Sequence, residues 1–183
     1  MFCFGGAIAC VDIAVEHNDT ILFGERINEP WKGGWALCGG KMNPGESFEK
    51  TAARHIERDL GITITPDRPR FVCTDSWVWS RRAQPPQENG CHMQGTTYTV
   101  KLLKDEVERI QHKGDFGKIA WLDASTITTH QYIHPAHRKA CLEILRYRHH
   151  IQKTHHGTLR AESRHCRDSV EKLPYWYILD RLE

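Results

Sequence analysis

The residues whose types and spacing could do chemistry crowd into one stretch, residues 40–62, which reads GKMNPGESFEKTAARHIERDLGI. A glycine-bearing loop there leads into a helical pattern, so backbone groups can approach a ligand closely. Glu46 and Arg54 stand eight residues apart across the corner between loop and helix. An ion pair between them would pin the loop onto the helix. His55 and Asp59 are four residues apart and share a helix face, with Arg58 beside them. A histidine and an aspartate at that spacing could hold one divalent cation together with the backbone carbonyl of Gly40. Glu57 lies about 200° around the helix from His55 and points elsewhere. Plainer roles compete: a loop-fixing salt bridge for Glu46 and Arg54, a solvated helix-end acid for Asp59, and a surface or core-edge histidine for His55.

The elements that must position these groups follow from local pattern. Residues 7–15 are small, apolar and β-branched and predict a first strand. His17-Asn18-Asp19 makes a turn, and residues 20–23 return as a second strand of a hairpin. Residues 35–38 form a short apolar run that ends at Gly39-Gly40. Residues 46–60 predict a helix, with Ser47 as N-cap and Glu46 and Glu49 near the positive end of the dipole. Phe48, Ala52, Ile56 and Leu60 recur every four residues as one buried stripe, and Gly61 stops the helix. Further strands are expected over 70–80, 96–103 and 118–122, a short helix over 105–112, and a longer helix over 134–150 opened by Pro135. The loop RRAQPPQENG is long enough to be functional or mobile; solvated charge is the default for its Arg81 and Arg82. Trp77 and Trp79 alternate on a strand, so one could stack on a base, although core packing is the plainer role. Strands alternating with a few helices make an α+β fold, a mixed sheet between helices.

The whole-chain totals narrow the class. With 183 residues, 39% hydrophobic and 26% charged, the chain suits one soluble domain with a buried core. A net charge of +2 with histidines neutral argues against a dedicated nucleic-acid binder. The seven cysteines form no C-x-x-C pair and read as buried reduced thiols of a cytoplasmic protein. The apolar N-terminus lacks a basic leader and is interrupted by Asp12, which makes it a strand rather than a signal peptide. No run approaches the ~20 apolar residues that span a bilayer. Composition turns polar after Gln152, so residues 1–152 are taken as the domain. Residues 153–183 are taken as a partly helical appendage whose end, PYWYILDRLE, docks on the domain or a partner. The histidines at 149, 150, 155 and 156 lack ligand spacing with cysteine and read as solvated.

The stretch 40–62 resembles the Nudix box, G-x5-E-x7-R-E-U-x-E-E-x-G-U, with Gly40, Glu46, Arg54, Ile56, Gly61 and Ile62 on matching positions. The resemblance implies the Nudix α/β/α sandwich for about residues 1–150. The three helix glutamates with which that family binds Mg²⁺ and orients water are here His55, Arg58 and Asp59, so one carboxylate remains and a metal cluster does not suit the site. GDP-mannose mannosyl hydrolases show a similar loss, use one Mg²⁺ and attack the sugar's anomeric carbon; G-x-R-x-N-x-P and GGW before the double glycine look similar too. That likeness implies one Mg²⁺, with Mn²⁺ as an alternative, held by Gly40, Asp59 and Asp115, to which the helix-face spacing adds His55. It places Arg26, Lys41 and Tyr98 on the substrate, and Arg26, His112, Glu46 and Arg54 in catalysis, with His112 as base. It also implies a homodimer.

The first expectation is therefore a Mg²⁺-dependent hydrolase that releases sugar and nucleoside diphosphate from a GDP-mannose-like nucleotide sugar, with no nucleic-acid or membrane partner. A second is a catalytically impaired module that senses a nucleotide sugar or ADP-ribose, which Arg58 in a ligand position favours. A third is a nucleoside-diphosphate-X pyrophosphatase, cleaving nucleoside triphosphates or dinucleotides; attack at phosphorus usually needs more metal.

Overall fold

In the computed structural model, residues 6–157 are described. The strands are β1 (Ile8–His17), β2 (Thr20–Arg26), β3 (Trp35–Ala36), β4 (Cys38–Lys41), β5 (Arg70–Trp79), β6 (Cys91–Lys101) and β7 (Phe116–Leu122). The helices are α1 (Phe48–Leu60), α2 (Lys104–Glu108), α3 (Ala124–Thr129) and α4 (Pro135–Gly157). One sheet runs β3-β2-β1-β6-β5, with β4 added to β1 and β7 to β2. β1 and β6 are parallel and the other pairs antiparallel. The mixed sheet between helices expected from the alternation of elements is present.

β1 explains the layering. Val11, Ile13 and Val15 project to one face, where they pack with Ala52, Ile56 and Leu60 of α1. Ala14 projects to the other, into a second cluster with Ile127 of α3 and Cys141, Ile144 and Leu145 of α4. A strand covered on both faces reads as a continuous apolar run, and each fully buried Ile, Leu or Val is worth about 1.5–3 kcal/mol. The hairpin from β1 to β2 turns on Asn18 and Asp19, with φ of 43° and 48° and His17 paired to Thr20, as a two-residue type I′ turn demands.

On α1, the Ser47 hydroxyl accepts the Lys50 N–H at 3.3 Å and Gly61 closes the helix at φ 68°. The buried stripe starts later than its spacing predicts: Phe48 is 41% exposed, stacked beside Tyr98. Other boundaries differ for local reasons. The run 35–38 breaks at Leu37, and β4 continues through Gly39-Gly40 to Lys41 instead of ending there. β6 begins at Cys91, and α2 ends at Glu108. The β-branched segment STIT of α3 has weak helical propensity but gains an N-cap, since the Asp123 carboxylate accepts the Thr126 N–H at 2.8 Å. α4 runs past His150 to Gly157, through the boundary placed at 152. The proposed docking of the tail lies outside the described residues. The described cysteines are free, and all but Cys73 are buried. No helix among the described residues is long and apolar enough to cross a membrane.

Candidate active site

The loop between β4 and α1 is fixed by Glu46. Its carboxylate accepts from Arg54 Nε and Nη2, both at 2.7 Å, from the Asn43 N–H at 3.0 Å and from the Thr51 hydroxyl at 3.0 Å. Arg54 Nη2 also donates to the Lys41 carbonyl at 3.0 Å. The Arg54 guanidinium above all, helped by the Asn43 amide, holds the Glu46 carboxyl far below the ordinary carboxylate range. The sequence assigned both residues to catalysis; in the structure they hold each other and the loop, and so act as positioning groups.

Asp59, in the last turn of α1, is fully buried. Its Oδ1 accepts from Arg58 Nε at 2.7 Å; its Oδ2 accepts from Arg58 Nη2 at 2.9 Å and from the Gly39 N–H at 3.2 Å. Arg58 Nη2 also donates to the Gly39 carbonyl at 2.8 Å. The carbonyl facing the helix acid is thus that of Gly39, not Gly40. Ladder parity is the cause. Met42 N–H bonds Ala9 at 3.1 Å, so in the alternation of an antiparallel pair Gly40 bonds its partner Val11 and Gly39 turns outward. At Gly39 φ is 150°, and a Cβ would stand 2.3 Å from the Val11 carbonyl oxygen. Only glycine permits this approach.

His55 is also buried, and its Nε2–H donates to the Lys41 carbonyl at 3.1 Å. Burial first, then Arg58, keep its pKa below that of a free histidine. His112 is exposed. Asp115 accepts from Asn28 Nδ2 at 2.9 Å and lies 3.7 Å from Arg26 Nη2. Tyr98 belongs to the core on the α1 face, donating to Glu49 at 3.0 Å; the substrate role expected of it has no open surface to act on. Lys41 is exposed and reaches Gln84 at 3.4 Å.

The metal expected from the sequence does not fit these residues. Both Asp59 oxygens are taken, and the cation that takes them is the Arg58 guanidinium. His55 faces a carbonyl as a donor. Among the described residues no group of three or more His, Cys, Asp and Glu side chains could hold a metal ion.

On the other face of the sheet a cleft opens, lined by Arg26, Trp31, Trp77, Trp79, Asp12 and His137 among others, and bounded by Gly39 and Gly40. Its walls are aromatic: Trp31 lies 5.5 Å from Trp79, and His134 lies 4.7 Å from Trp79 and 5.8 Å from Trp77, ring centre to ring centre. Five buried polar atoms here lack a hydrogen-bond partner: Nε1 of Trp77 and Trp79, both ring nitrogens of His137, and Asp12 Oδ2. Asp12 Oδ2 stands 3.5 Å from His137 Nε2. Unpaired buried polar groups are costly and rare, and these five gather around one cleft. The sequence supplied Trp77, Trp79 and Arg26. Trp31, His134 and His137 escaped it. Asp12 left a signal, an acid inside the apolar run AIACVDIAV, whose burial needed a reason.

Residues 4–143 match the family described as the NUDIX domain. The chain is similar to an ADP-ribose pyrophosphatase of Methanocaldococcus jannaschii, 35% identical over 68 residues, which cover 32% of this chain and 40% of that one. It is similar to the nucleoside triphosphatase NudI of an Enterobacter species, 26% identical over 125 residues, 63% of this chain and 81% of that one. Among solved structures, a MutT NUDIX hydrolase of Burkholderia pseudomallei superposes with a TM-score of 0.61 at 22% identity, over 74% of this chain and 96% of that one. The chain spans only 37% and 40% of the length of two of the curated relatives it matches.

Proposed function

This chain belongs to the NUDIX domain family, and from that premise we propose that it is a hydrolase of a nucleoside diphosphate joined to a second group. Nucleotide sugars of the GDP-mannose kind and ADP-ribose are the candidates; the archaeal relative named for ADP-ribose supports the second. The observation that carries the reading is the continuity of the tryptophan cleft with the Gly39-Gly40 strand and Arg26. A planar base or a sugar face would stack on Trp77 and Trp79. Indole N–H groups and the Asp12 carboxylate would take its polar edge. The diphosphate would run toward Arg26, which is held by its Nε bond to the Pro30 carbonyl at 2.8 Å, and toward Lys41. Product analysis on a panel of nucleotide sugars and ADP-ribose tests this. Free sugar with nucleoside diphosphate means attack at carbon; sugar phosphate with nucleoside monophosphate means attack at phosphorus. A panel that is neither cleaved nor bound sinks the reading.

A second reading, a binding module without turnover, is favoured by one observation: Asp59, the one acid at the positions of the family's helix glutamates, is bonded to Arg58 and sealed from solvent. Melting shifts with ligand, without products, would select it.

A further inference from the structure

We infer that the Arg58 guanidinium is this site's resident cation, filling the place between the Gly39 carbonyl and the Asp59 carboxylate and excluding a divalent metal from it. The inference concerns the chain's own residues and holds whichever nucleotide the cleft takes.

A wholly buried carboxylate needs a cation or several donors, because its desolvation costs several kcal/mol. A divalent ion on oxygen ligands is one solution; a bidentate guanidinium is another. Here the second is built. Nε and Nη2 meet the two Asp59 oxygens as a fork, and Nη2 also bonds the Gly39 carbonyl. The next loop closes the other side. Lys113 N–H bonds the Asp59 backbone carbonyl at 2.8 Å and Gln111 N–H that of Leu60 at 2.9 Å. A Cβ on Gly114 would stand 2.8 Å from Asp59 Oδ1. An ion would thus have to displace the guanidinium and lift this loop. Asp115 adds a second negative charge that favours the Arg58 cation. The free nitrogen, Nη1, has no hydrogen-bond partner among the described residues. It lies toward Gly40, 3.5 Å from where a Cβ there would be, on the strand that bounds the cleft. The arrangement supplies a fixed positive charge at the glycine strand with no metal to load.

Paramagnetic Mn²⁺ tests this on the full-length protein. In ¹H–¹⁵N spectra, Mn²⁺ should leave the Gly39 and Gly40 amide signals unbroadened in the wild type. Arg58→Glu sets two carboxylates beside the Gly39 carbonyl and should create a site, so that Mn²⁺ broadens both signals. Its melting temperature should also rise by about 5–10 °C at 100 times the dissociation constant, with no such rise in the wild type. Selective broadening of Gly39 and Gly40 in the wild type at micromolar Mn²⁺ overturns the inference, and needs no variant to fold. Failure of the cleft to bind any nucleotide would overturn the proposed function and leave this result standing.

Discussion

Arg58→Leu is the perturbation that asks most of the structure. It removes three hydrogen bonds, two to Asp59 and one to the Gly39 carbonyl, and leaves Asp59 buried with only the Gly39 N–H at 3.2 Å. Breaking a buried ion pair from one side costs about 3–5 kcal/mol, because the remaining charge stays desolvated. Arg58 is 38% exposed while Asp59 is fully buried, so part of the attraction is screened by solvent, and about 2–4 kcal/mol is the expected loss. Two-state urea unfolding reads this directly. With a slope near 2 kcal/mol/M the midpoint should drop by about 1–2 M, the slope itself unchanged. Adding Asp59→Asn should restore more than half of the loss, since neither charge then stands unpaired; the coupling of the two changes should exceed 1 kcal/mol, within the range measured for contacting pairs, about 0.5–3 kcal/mol. A single variant that loses under 1 kcal/mol, or a double variant as unstable as the single, refutes the account of Arg58 as the partner that makes Asp59 buriable.

Other expectations follow from the same geometry. Glu46 is held below the carboxylate range by Arg54, so its contribution is present at neutral pH and lost as acid protonates it. Glu46→Gln should therefore flatten the fall in melting temperature below pH 5, and an unchanged acid limb counts against the loop clamp. His134 has its pKa pushed down to about 4 by burial, then by His137. Protonation thus favours the unfolded chain, and stability should decline as pH falls from about 6.5 toward 4, with no effect above; His134→Phe should remove that decline, and an NMR titration showing protonation near 6.5 would contradict it. Trp79→Ala should weaken a nucleotide ligand by about 1–3 kcal/mol, roughly 5- to 150-fold by calorimetry, and equal affinity would remove stacking from the proposal.

The fold was largely legible because its determinants are local and periodic. Ser47, the Ala52–Ile56–Leu60 stripe and Gly61 mark α1, and Asn18-Asp19 marks the hairpin. What misled was identity against context. Gly39-Gly40 reads as the end of the apolar run, yet here it is strand, because glycine alone tolerates the approach of Gly39 to Val11. Tyr98 and Trp77 stand on neighbouring strands of like pattern, and which of them faces a ligand depends on the sheet face each residue meets. Tyr98 meets α1 and Trp77 the cleft. His137 joins the cleft, and His134 the tryptophans that line it, only because the chain entering α4 returns across the sheet, a long-range fact with no trace in their own segment.

Parity along β4 gives the site its chemical meaning. β4 bonds to β1 alone among the strands, so its outward backbone groups, at Gly39 and Lys41, are an open sheet edge, and such edges must be covered. α1 covers this one: Asp59 and Arg58 take Gly39, and His55 and Arg54 take Lys41. Asp59 and His55, two of the residues that a chemical reading assigns to a metal, are therefore ones that seal an edge strand. The charge count is closed as well, Arg58 against Asp59 and Arg54 against Glu46. On the proposed reading, a diphosphate in the cleft would draw its compensation from groups with donors to spare: Arg26, whose nearest acid is 3.7 Å away, and the exposed Lys41. Charge at the reacting phosphates would then depend on side chains that cannot be removed by a chelator, and ligand affinity in EDTA should match that in magnesium.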